Sequence, residues 1–102
     1  MSREKVLTDQ VLKYLRARGG WWVKIHGGPY QTSGIPDIVG CYRGKFLGLE
    51  VKPSGRKSDL SLRQQVTLTR IRDAGGISAL ISSTQDALDV LDEVDKLAQE
   101  RR

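Results

Sequence analysis

A chain of 102 residues forms one domain with one core, and 38% hydrophobic against 28% charged residues is the balance of a folded chain rather than a disordered one. No apolar run approaches the ~20 residues that span a bilayer; the single cysteine, Cys41, excludes an internal disulfide or a multi-cysteine zinc site, and the single histidine, His26, leaves little for a histidine-based metal site. The net charge of +5 is unevenly spread, because residues 1–76 carry fourteen basic and six acidic side chains while residues 77–102 carry three basic and six acidic.

Met1-Ser2-Arg3-Glu4-Lys5 leads into an amphipathic stretch and not into a short apolar signal region, so the protein is expected to be soluble and to stay where it is made. Residues 4–18 read as a helix, with Leu7, Val11, Tyr14 and Leu15 at helical spacing and Gly19-Gly20 as the stop. Residues 21–25 (WWVKI) read as a strand; Trp21 and Trp22 face opposite ways, so at least one fills the core. Residues 26–36 form turns, with three Gly and two Pro among eleven residues. Strands are predicted over 37–42 and 45–52, joined by Arg43-Gly44 as a two-residue turn. Residues 53–59 form a loop carrying Arg56 and Lys57. A second helix spans 61–74 and is closed by Gly75-Gly76. A short strand follows over 77–82. The last helix, 84–100, lines Ala87, Val90, Leu91, Val94, Leu97 and Ala98 on one stripe. Being acidic, it is expected to pack behind the sheet, away from any polyanion. The order α-β-β-β-α-β-α, over a single domain 1–102, defines an α/β domain with a mixed central sheet flanked by helices.

The hairpin register carries the chemistry. With Arg43-Gly44 as the turn, Tyr42 pairs with Lys45, Cys41 with Phe46, Val39 with Gly48, and Asp37 with Glu50. Directly opposed residues have Cβ atoms ~5 Å apart, and Lys52 shares the face of Glu50 because side chains alternate. Like charges set opposite one another destabilise a sheet, and these strands are otherwise apolar. A divalent cation resolves the conflict, since two carboxylates suit magnesium or manganese, with waters and phosphates completing the shell. An amine alongside can orient or deprotonate an attacking water, which points to metal-assisted phosphodiester hydrolysis.

Two further side chains face this point. At about 100° per residue, Glu4 falls within about 60° of Leu7, Val11 and Leu15, whereas Asp9 lies about 140° away and faces elsewhere. An inward carboxylate at a helix end needs a partner; the plainer reading is that Glu4 complements the helix dipole. Gln64 falls on the side of Leu68 and Ile71 and also points inward, but Ser61-x-x-Gln64 is a capping box as well. Both readings stand at this point.

Gly34-Ile35-Pro36-Asp37 followed by Glu50-Val51-Lys52 resembles the PD-(D/E)XK nuclease superfamily. The fuller pattern is similar to its VRR-Nuc branch, the virus-type replication-repair nucleases. It comprises Glu4, the basic Arg56-Lys57 loop, Leu60-Ser61-Leu62-Arg63-Gln64 and Ala74-Gly75-Gly76, over about residues 4–83. The resemblance implies a restriction-endonuclease-like fold in which Asp37 and Glu50 bind metal, Lys52 is catalytic, and Glu4 and Gln64 support the site. It implies a DNA endonuclease using Mg2+ or Mn2+, with Glu4 and the Val51 carbonyl as further ligands, Lys52 assisting a water that attacks in line, and no small-molecule cofactor. It also implies branched DNA such as four-way junctions, handled by a homodimer in replication, repair or recombination, in a bacterial or phage-infected host cytoplasm. With no element to spare for base readout, selectivity would rest on shape. Lys24, Arg56, Lys57 and Arg63 are candidate phosphate contacts, and His26 a candidate phosphate contact or base. Trp21 or Trp22, Tyr30 and the apolar faces of the first or last helix are candidates for a dimer interface. The alternative function is a non-catalytic nucleic-acid-binding module that retains the fold.

Overall fold

A computed structural model describes residues 2–27 and 33–100. Its elements are α1 (Arg3–Arg18), β1 (Trp21–Lys24), β2 (Ile38–Tyr42), β3 (Lys45–Val51), α2 (Leu62–Asp73), β4 (Ile77–Ile81) and α3 (Thr84–Glu100). The predicted order holds, and the strands end a residue or so short. One feature of the 53–59 loop was not predicted, a single 3-10 turn over Lys57–Asp59. Within the predicted turn segment, residues 28–32, and Tyr30 with them, lie outside the described residues.

Local chemistry sets the element ends. Ser2 caps α1 by accepting the Lys5 N–H at 3.1 Å, and Gly19 ends it at φ 115°. Arg43 and Gly44 both take positive φ, 50° and 80°, as a two-residue hairpin turn between right-twisted strands requires. Ser61 and Gln64 form a reciprocal capping box at the start of α2.

The sheet is mixed, in the order β1-β2-β3-β4. The first three strands are antiparallel and β4 joins β3 in parallel. The predicted register of β2 on β3 is the observed one: Tyr42 opposes Lys45, Cys41 opposes Phe46, and Val39 opposes Gly48. One face packs on α1 and α3 and holds the core, with Val11, Leu15, Ile38, Leu47, Leu49, Val51, Ile81, Ala87 and Leu91 fully buried. Trp22 fills this core while Trp21 is 64% exposed, so Trp22 is withdrawn from the dimer-interface candidates. Tyr14, expected on the stripe of α1, is exposed, and Leu12 is buried in its place. Leu97, expected on the stripe of α3, is also exposed.

α2 lies on the opposite face. Gly48 makes the approach possible, because a Cβ there would meet Ile71 Cδ1 at 2.7 Å. Ser78, paired with Gly48, donates its hydroxyl to the Leu68 carbonyl at 2.6 Å and ties β4 to α2. The hairpin tip is tied to α3, since Asp95 accepts from Tyr42 at 2.8 Å and pairs with Arg18 and Arg43. Among the described residues no helix is long and apolar enough to cross a membrane.

Candidate active site

The site forms where β2 begins and β3 ends. Ile38 opposes Leu49, so Asp37, one residue earlier, stands against Glu50. The main chain fixes Asp37 on both sides. Its carbonyl accepts the Ile25 N–H at 2.8 Å, and its Oδ2 accepts the Val51 N–H at 2.8 Å. Val51, expected to contribute a carbonyl, thus also orients the first carboxylate through its N–H.

Glu50 is 1% exposed. Gln64 Nε2 donates to its Oε1 at 3.3 Å, but among the described residues Oε2 has no hydrogen-bond partner. The carboxyl is pushed up to about 9, first by burial, then by the Asp37 carboxylate beside it; Lys52 opposes the shift. With both groups ionised, neither could donate to the other. Without a cation the pair therefore favours a shared proton. A buried carboxylate with an idle oxygen, facing a second carboxylate across a hairpin, fits a hard divalent cation.

Gln64 reconciles the two sequence readings. Its Oε1 accepts the Ser61 N–H at 2.8 Å, closing the capping box, while its amide reaches Glu50. One side chain caps α2 and locks that helix onto the buried carboxylate.

Lys52 continues β3, its N–H bonding to the Ile81 carbonyl at 2.9 Å. Its ammonium lies 3.8 Å from Glu4 Oε2. Glu4 thus reaches the site as expected, where its carboxylate partners Lys52. Among the described residues no three of His, Cys, Asp and Glu cluster tightly enough to hold a metal.

The expected phosphate contacts do not form one set. Lys24 and His26 line a cleft of about 370 Å³ that also includes Glu4, Lys5, Thr8 and Asp37. Lys24 is paired with Asp9 at 2.9 Å. Asp9, predicted to face away, therefore belongs to the flank of this cleft. Arg63 donates to the Ser33 hydroxyl and packs its main chain against Gly34, at φ 86°. Arg56 pairs with Asp59 at 3.2 Å in the loop after Lys52. Lys57 lines a different groove, with Leu68, Thr69, Arg72 and Leu80 between α2 and β4. Sequence reasoning passed over Lys5. Its place four residues before Asp9 was the available signal, since such pairs share a helix face.

No family model and no curated protein matches the chain. Among solved structures, one described as "VRR_NUC domain" superposes with a TM-score of 0.72 at 20% sequence identity, covering 90% of this chain and 97% of that one. At that identity the likeness speaks to architecture, and it agrees with the resemblance carried by Gly34 to Asp37 and Glu50 to Lys52. This chain has the fold of a VRR_NUC domain.

Proposed function

We propose that the protein is a divalent-metal-dependent endonuclease acting on DNA phosphodiester bonds. The observation that carries this reading is Glu50: wholly buried, held by Gln64, with one oxygen lacking a partner among the described residues and an opposing Asp37. A pure binding module gains nothing from a buried pair of carboxylates that repels phosphate.

Asp37, Glu50 and the Val51 carbonyl would hold the cation. When bound, Mg2+ or Mn2+ would supply Lewis-acid polarisation of the phosphoryl group and a more acidic water. The protein's own residues supply the rest. Asp37 is oriented by the Val51 N–H. Glu50 is oriented by the Gln64 amide. Lys52 directs its ammonium to the attacking water or to the charge that grows on the phosphoryl oxygens, and Glu4 holds that ammonium in place.

The reading extends to branched DNA, such as four-way junctions, cut by a homodimer. One domain has one hairpin and one site, and paired incisions need two. Closed twofold dimers are the commonest assembly. Exposed Trp21 remains available for such an interface.

The test is cleavage of duplex, single-stranded, flap and four-way-junction DNA with Mg2+, Mn2+ or EDTA, alongside mass measurement by light scattering with and without junction. Cleavage that needs metal and is lost in Asp37→Ala supports the reading. Lys52→Ala should lose turnover while keeping most of its affinity. Binding of DNA without cleavage in any metal would leave the binding module instead, and cleavage in excess EDTA would exclude the metal.

A further inference from the structure

The cleft beside Asp37 holds more basic groups than the chemistry uses. Lys5 from α1, Lys24 from β1 and His26 from the segment after it line one concavity with Asp37 at its margin. Its geometry relative to the site is rigid. Lys24 opposes Ile38 in the sheet, and the next residue, Ile25, bonds through its N–H to the Asp37 carbonyl. The stem of Lys24 is mostly buried, its side chain being 22% exposed. Its ammonium is therefore held at a set position relative to the carboxylates.

That ammonium is occupied by Asp9, at 2.9 Å. Asp9 is itself half in solvent, its side chain being 52% exposed. The hydrogen bond from Lys24, then the charges of Lys24, Lys5 and His26, hold its carboxyl below the usual range. One carboxylate outside the cleft lining thus holds Lys24 directly and feels the charges of Lys5 and His26. An ion pair this exposed adds little to folding, so its anion can be exchanged at small cost. A DNA phosphate offers the same anionic oxygens and also releases condensed counterions when it is neutralised.

We propose that Lys5, Lys24 and His26 seat a backbone phosphate of the bound DNA strand other than the one that is cut, and that Asp9 is the internal counter-anion which this phosphate displaces. The inference rests on the nuclease reading and adds to it a path for the strand, from Asp37 toward the first half of α1. It also assigns Asp9 a restraining role, since every bound strand must first release Lys24 from it.

The experiment is fluorescence anisotropy of a labelled DNA junction with the full chain in EDTA, where no cleavage occurs, over a range of salt. Asp9→Asn is expected to raise affinity about threefold, the scale of one exposed ion pair that no longer has to be broken. Lys5→Ala and Lys24→Ala are each expected to lower affinity, and the double variant to reduce the log–log salt slope by about 1. The gain from Asp9→Asn should vanish in the Lys24→Ala background. Asp89→Asn removes the same charge from the exposed face of α3 and should give a much smaller change. Equal effects of Asp9→Asn and Asp89→Asn, or a gain that survives Lys24→Ala, would overturn the proposal. Circular dichroism melts of each variant show that folding is retained. Because binding is read without metal and cleavage with it, a protein that binds as expected but never cuts would sink the nuclease reading alone.

Discussion

Leu47, Leu49 and Val51 on one side of β3, and Phe46, Gly48 and Glu50 on the other, come from one seven-residue strand and meet different surroundings. The first three are wholly buried under α1 and α3. On the second side α2 reaches only as far as Gly48 and Glu50. Beyond it, Trp21, Cys41 and Phe46 form one cross-strand row that stays exposed. The covered face is apolar over Leu47, Leu49 and Val51 and supplies cohesion. The half-covered face gives up some of that cohesion to hold a carboxylate where water cannot solvate it. Stability and chemistry are therefore carried by alternate residues of one strand, as period-two alternation allows.

The comparison breaks most plainly if the second face proves dispensable for chemistry. Asp37→Ala and Glu50→Gln should each lose several kcal/mol of transition-state stabilisation, about a thousandfold in cleavage rate or more. Both should remain folded by circular dichroism, and single-turnover cleavage in Mg2+ measures the loss. A variant that cuts at the native rate would show that the two carboxylates are not the metal site.

On the first face the expected loss is in folding. Leu49→Ala should destabilise by about 2–5 kcal/mol, since it opens a cavity under two helices. A denaturant melt measures it. A cost below about 1 kcal/mol, typical of a surface position, would mean that this face is not the rigid one.

The two faces should also differ in their response to pH. The Glu50 carboxyl is raised from 4.5 to about 9 in the folded state, so the folded chain binds the extra proton. Metal-free stability is then greatest below the unfolded pKa and falls as pH rises from about 4.5 toward 9. By pH 7, about 2.5 units above the unfolded value, the loss is on the order of 3 kcal/mol. Melting temperatures taken between pH 5 and 9 in EDTA should decline for the native chain. They should stay nearly flat for Glu50→Gln, whose amide can still donate to Asp37 and accept from Gln64. Added Mg2+ should flatten the native curve. Parallel curves for the two proteins would place the titration elsewhere.

The smallest effects separate the two jobs of Gln64. Ser61→Ala removes the cap and should cost about 1 kcal/mol of stability with cleavage nearly unchanged. Gln64→Ala removes the cap and also the donor to Glu50, so it should lower cleavage as well. If the two variants cleave alike, the Gln64 amide is only a cap.

Much of this was legible in the chain because it depends on neighbours in sequence. Arg43-Gly44 sets a two-residue turn, the turn sets the register, and the register brings Asp37 to Glu50. Ser61 and Gln64 announce a helix start, and the alternation in β3 places Lys52 beside Glu50. These are local rules with short reach, and the observed pairing agrees with them.

What tertiary structure decided depends on distance across the fold. Periodicity pointed Glu4 at the site, but only the placing of α1 against the end of β3 chose Lys52 as its partner. The same helix phase turned Asp9 away, yet β1 runs close enough along α1 for Lys24 to bridge the gap. Gln64 left two readings open until α2 docked over Gly48, because one amide has both an acceptor and a donor and can satisfy both roles. Lys57 matched the basic-loop pattern, and in the fold it lines a groove with Leu68, Thr69, Arg72 and Leu80. Backbone hydrogen bonds propagate register along a chain. Charged side chains at its surface choose partners by proximity after packing, and no spacing rule encodes that choice.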